Sequence, residues 1–170
     1  MKTLTLLLLF TCLAGAPLAF AQTVAYKPPS GYTLQSPDDY DEYKADIIKT
    51  VNWLEVTPIN QQIEKRREAT RFLFQWISGA PDVSVQMQKY VADLTAQEPE
   101  LLLLFMGGWA RYQLQHTEVK DPVVLNTEAL KTVLKGYQAG GIKRNKQLDM
   151  LAGLNAKGTL TDWVRKQLAS

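Results

Sequence analysis

Apolar residues recur at helical spacing along most of the chain, and no stretch alternates as a strand would. Tyr40, Tyr43, Ile47, Val51 and Leu54 trace one stripe. Ahead of it, Ser36 is a suitable N-cap and Pro37 suits the first helical position. Asp38, Asp39, Asp41 and Glu42 stand where the helix dipole favours negative charge. Thr57-Pro58 repeats the cap-then-proline device and predicts a second helix through about Ile77, ended by Gly79-Ala80-Pro81. Its inward face should carry Ile59, Ile63, Ala69, Phe72, Leu73, Trp76 and Ile77. A shorter helix is expected over about Ser84 to Ala96, using Met87, Tyr90, Val91 and Leu94.

Pro99 then opens the most apolar segment, Leu101 to Leu114, whose unbroken run Leu101 to Met106 predicts burial all round. Gly107-Gly108 interrupts it, at a cost of roughly 1 kcal/mol per glycine relative to alanine. Close approach of another helix would offset that cost; a ligand pressed against bare backbone is the alternative. Further helices follow over Thr127 to Tyr137, around Leu148, Leu151 and Leu154, and after Thr159-Leu160-Thr161-Asp162, which has the form of a capping box. The helices share no fixed-offset repeat, which argues against a tetratricopeptide array. The fold class expected is all-α: one compact bundle of six or seven helices around a central apolar helix at about 100–115.

The first residues are organised differently. Lys2, the apolar run Leu4 to Phe10, and Ala19-Phe20-Ala21 before Gln22 match the three regions of a secretory signal peptide. The apolar run is too short for a span of about 20 residues. Lipidation at Cys12 competes, but Thr11 replaces the small residue expected before the cysteine. The domain organisation is therefore read as a signal peptide over 1–21, an extended arm over 22–35 rich in Pro28, Pro29 and Gly31, and a helical domain over 36–170. The expected location is the periplasm or the exterior, after cleavage near Ala21/Gln22, with no transmembrane span in the mature chain.

Cys12 is the only cysteine, so cleavage would leave a domain without thiols, disulfides or zinc-ribbon ligands. A domain of about 150 residues buries roughly 70% of its unfolded surface and needs no staples. Charge is nearly balanced, at 19 Lys and Arg against 17 Asp and Glu, but it is uneven along the chain. Residues 22–60 are acidic and residues 131–170 basic. The basic stretch lacks interleaved stacking aromatics, so no nucleic-acid partner is expected. Lys65-Arg66-Arg67 with Arg71 is the densest positive patch, and Glu64 and Glu68 lie within helical pairing reach, the pattern of a solvated face.

Candidate chemistry is sparse. His116 is the only histidine; it has no second His or Cys to share a metal, and a capping role at a helix end accounts for it. No Gly-x-Ser-x-Gly elbow accompanies any serine. Glycoside hydrolysis needs only two carboxyls at a set separation, for which Glu98 and Glu100 are the candidates. A ligand site would draw on Gly107, Gly108, Trp109 and Arg111, or on Lys143 and Arg144 in their Gly-flanked loop. The four tryptophans, Trp53, Trp76, Trp109 and Trp163, fall at or beside apolar stripes, so core packing is the default for each. No metal and no cofactor is expected, and the pattern names no oligomeric state.

Asn52-Trp53-Leu54-Glu55, Lys65-Arg66-Arg67-Glu68, Trp76-Ile77-Ser78-Gly79 and Leu103-Leu104-Phe105-Met106, with Gly136-Tyr137, Gly141-Ile142-Lys143 and Trp163, carry a resemblance over most of the chain. It resembles a group of small exported helical proteins of Bacteroidota. That resemblance implies a fold and an export route and supplies no catalytic residues. The function expected is non-enzymatic binding of an envelope protein or a small ligand. A carboxylate-dependent hydrolase acting on glycan, and a carrier of a small hydrophobic ligand, are the alternatives.

Overall fold

The computed structural model describes residues 25–169. Eight helices make up the described fold, with no strand among the described residues: α1 Pro37–Glu42, α2 Lys44–Val56, α3 Ile63–Gly79, α4 Lys89–Thr95, α5 Pro99–Gln115, α6 Pro122–Ala139, α7 Lys146–Ala156 and α8 Leu160–Leu168. The all-α class stands. The predicted signal peptide lies outside the described residues. There are eight helices instead of the six or seven expected, in part because the stripe from Tyr40 to Leu54 is broken at Tyr43, whose ψ of 2° separates α1 from α2.

Several predicted boundaries move, each for a local reason. Thr57-Pro58 closes α2 instead of opening α3. The Thr57 hydroxyl and amide both donate to the Trp53 carbonyl, at 2.8 and 3.2 Å, and Thr57 takes the extended backbone that precedes proline. The chain then turns through Gln62, at φ 49°, before α3 begins. The third predicted helix shrinks to α4, leaving Ser84 to Gln88 outside it. In contrast α6 starts early, at Pro122, because the Asp121 side chain caps it by accepting from the Val123 amide at 2.8 Å. Thr159 caps α8 by position only; its hydroxyl donates back to the Leu154 carbonyl at 3.3 Å.

The core runs through α2, α3, α5 and α6, with Ile47, Val51, Phe72, Leu73, Trp76, Phe105, Trp109, Leu130 and Val133 among its buried members. The most extensive packing is between α5 and α6, and α2 lies against both. Burial of the Leu101–Met106 run is one-sided: Leu101, Leu104 and Phe105 are buried, whereas Leu102, Leu103 and Met106 are half-buried. Helix α6 contributes nine buried residues against seven from α5, so the two helices share the interior.

The Gly107-Gly108 pair is explained by this packing. A Cβ on Gly108 would stand 2.5 Å from the Thr132 hydroxyl and 3.0 Å from the Ala129 Cα, both on α6. One on Gly107 would stand 3.0 Å from both Leu73 and Val51. The missing side chains let α6, α3 and α2 approach α5 closely.

Arg66 departs most from expectation. It sits in the core at 2% exposure instead of on a solvated face. Its guanidinium donates to the Thr57 carbonyl at 2.9 Å and the Leu54 carbonyl at 3.3 Å, satisfying groups at the end of α2, while Nε pairs with Glu100 at 2.9 Å. A buried cation held this way ties α2, α3 and α5 together, because removing any partner would strand a charge.

Candidate functional site

The carboxyls singled out from sequence are not assembled as a pair. Residues two apart on a helix do not face each other. Glu100 turns to Arg66. Glu98, the N-cap of α5, lines a separate cleft of about 410 Å³ with Gln97, Gly141, Lys143, Arg144 and Asn145. The fold therefore brings Glu98, Lys143 and Arg144 together across 45 residues of sequence. Arg144 is partly engaged already: its Nε pairs with Asp149 at 2.8 Å. The guanidinium and the Tyr137 hydroxyl hold the Asp149 carboxyl below its ordinary range, the direction opposite to what a general acid requires.

His116 is 46% exposed, with its ring 4.3 Å from that of Tyr112 and its Nδ1 3.9 Å from Glu118. Trp109 is buried, and its indole N–H donates to Gln113 at 2.9 Å. Gly107, Gly108 and Trp109 thus belong to the packed interior. Among the described residues no group of three or more His, Cys, Asp or Glu is placed to hold a metal ion, and no helix is long and apolar enough to cross a membrane.

Arg111 has the richest set of partners. It donates to Glu55 at 2.9 Å, to the Thr132 hydroxyl at 2.9 Å and to Asn52 Oδ1 at 2.6 Å. Glu55, 7% exposed at its side chain, also accepts from Lys135 at 3.0 Å. A buried carboxylate between two cations fixes the meeting of α2, α5 and α6. Thr132 can stand there because Gly108 leaves it room.

Beside this network lies the largest of the described clefts, a groove of about 850 Å³ lined by Ala25, Tyr26, Lys27, Asp46, Lys49, Asn52 and Trp53. Its wall is the extended arm on one side and α2 on the other. Tyr26 and Trp53 stack at 5.1 Å between ring centroids, inclined by 27°. The Lys65 ammonium lies 4.8 Å from the Trp53 ring centroid and 5.5 Å from that of Tyr26. The arm is anchored here. Thr50 spends its hydroxyl proton on the Asp46 carbonyl at 2.6 Å, so Tyr26 donates to Thr50 at 2.9 Å. Burial pushes the Tyr26 hydroxyl up to about 12.

Sequence reasoning missed this groove. Core packing is the default expectation for Trp53, yet it lies one residue off the Val51–Leu54 stripe and is half-buried. That offset was the available signal; Tyr26, in a proline-rich arm without period, gave none. Comparison with known proteins returns no match: no family model, no curated protein and no solved structure matches this chain.

Proposed function

We propose that the protein is an exported, non-catalytic binding module of the cell envelope, which takes a ligand or partner segment in the groove between residues 25–27 and α2. The observation carrying this reading is the Tyr26–Trp53 stack lining the largest described cleft, flanked by Lys27, Lys49 and Lys65. Concave aromatic walls with a few convergent polar groups are the usual form of a binding site. Export rests on the leader anatomy of residues 1–21, and kinship with the exported helical proteins of Bacteroidota belongs to the same proposal. We read the α5–α6 pair as the rigid centre on which the groove is mounted.

The experiment is a ligand screen read by two-dimensional NMR. Shifts centred on Tyr26, Asp46 to Trp53 and Lys65 are expected. Hydrolysis of a glycan that is lost in Glu98→Gln, with shifts centred on Lys143 and Arg144, would instead establish the second cleft as the working site. The same shifts without turnover would move binding to that cleft and refute the groove.

A further inference from the structure

We propose that the groove recognises a uronic-acid residue of an acidic polysaccharide, the sugar's C–H face lying against an outer face of the stacked Tyr26–Trp53 pair and its carboxylate meeting Lys27, with Lys65 beside the rings adding positive charge. This rests on the groove being the binding site and adds the chemistry of what it holds. The argument is a census of donors and acceptors. Arg111 has only donors, so Asn52 must turn Oδ1 toward it, which leaves the two Nδ2 hydrogens for the groove it lines. Arg111 is itself fixed by Glu55 and Thr132, so the Asn52 amide is held in one orientation.

Lys49 adds a further ammonium, already paired with Asp46 at 2.9 Å. That pair offsets the charge of the only carboxylate among the lining residues. Lys27 is exposed at the rim, and Lys65 stands over the rings. The groove thus offers donors and positive charge in excess, beside an aromatic pair whose rings are stacked on each other. A complementary ligand is rich in acceptors, anionic, and has one apolar face. A uronic acid meets all three conditions: ring and hydroxyl oxygens, a carboxylate, and axial C–H groups on one side. Neutral sugars lack the charge. An acidic peptide carries the charge without a flat C–H face joined to a ring of hydroxyls.

The test titrates the purified protein with a de-esterified oligogalacturonate, its methyl ester, a neutral cello-oligosaccharide and an acidic peptide, reading the Trp53 indole N–H by NMR. The uronate is expected to move that signal and to bind more weakly as salt rises, because the lysines are partly exposed. Methyl esterification should weaken binding by about tenfold, the scale of a lost charge-assisted contact. Lys27→Gln with Lys65→Gln should erase the difference between acid and ester. These two changes lie outside the core, so the test does not depend on a Trp53 variant folding.

Equal binding of the acid, the ester and the neutral sugar at Trp53 overturns the acidic specificity and leaves the groove standing. Movement of Trp53 by the peptide alone overturns the sugar and also leaves the groove. Shifts centred on Lys143 and Arg144 overturn the ligand assignment and the groove together. The absence of any shift with all four probes refutes the uronate proposal.

Discussion

The α5–α6 interface and the arm–α2 groove use the same residue types to opposite ends. Trp109 is enclosed with its N–H satisfied inside its own helix, whereas Trp53 lies half-buried against a tyrosine from a segment without secondary structure. Arg66 and Lys65 are sequence neighbours; one is buried among carbonyls and the other stands over aromatic rings. On a helix adjacent residues differ by about 100°, so one step in sequence carries a side chain from core to rim. The difference teaches that residue type set neither role. The position of α3 against α2 did.

Arg66→Ala should destabilise the fold most severely, by about 3–5 kcal/mol in urea unfolding, since it strands Glu100 and the carbonyls at the end of α2. A loss below about 1 kcal/mol would show that Arg66 does not join the three helices. Gly108→Leu comes next, at about 3 kcal/mol, because Thr132 and the α6 backbone leave no room for the side chain. An unchanged melting temperature with altered ligand binding would instead place a ligand against Gly108.

Thr132→Val sharpens the comparison by coupling the two regions. It removes the hydroxyl that accepts from Arg111 while keeping shape, so a stability loss of about 1 kcal/mol is expected. It should also disturb Asn52, visible as a shifted or broadened side-chain amide signal. An Asn52 amide that is indifferent to Thr132 would separate the groove from the interior network.

The smallest effects are those of pH. The Tyr26 hydroxyl is raised to about 12 by burial, so the contribution of its neutral form is complete below the ordinary value of 10.0 and is lost as pH rises through about 12. Ultraviolet titration of the wild type against Tyr26→Phe should show one phenol ionising late; ionisation near 10 would mean that the arm is not docked. Asp149 moves the other way. Its depressed value stabilises the fold above the ordinary 3.8 and ceases to do so as pH falls through the folded value, so the deficit of Asp149→Asn should close in acid.

Much of this architecture was written in local pattern. The stripes at Ile47–Val51–Leu54 and Phe72–Leu73–Trp76 marked α2 and α3, and Gly107-Gly108 marked a close approach before its partner was known. Boundaries were less legible where one short motif serves two purposes: Thr57-Pro58 has the form of a start and acts as a stop, because the competing acceptor was the carbonyl of Trp53 four residues back. Of the candidate site residues, Glu98, Lys143 and Arg144 meet in one cleft, and Arg111 borders another through Asn52. Glu100 and Trp109 are committed to holding the fold. The groove itself had no linear signature.

By itself the sequence determined the helical class and most of the buried stripes, since periodicity and capping act within a few residues of one another. Only the tertiary structure decided which charges are interior, which glycines are filled against and which aromatic faces the surface. Those outcomes depend on pairs such as Arg66–Glu100, Glu55–Lys135 and Tyr26–Trp53, whose members lie 27 or more residues apart and meet only when the helices pack.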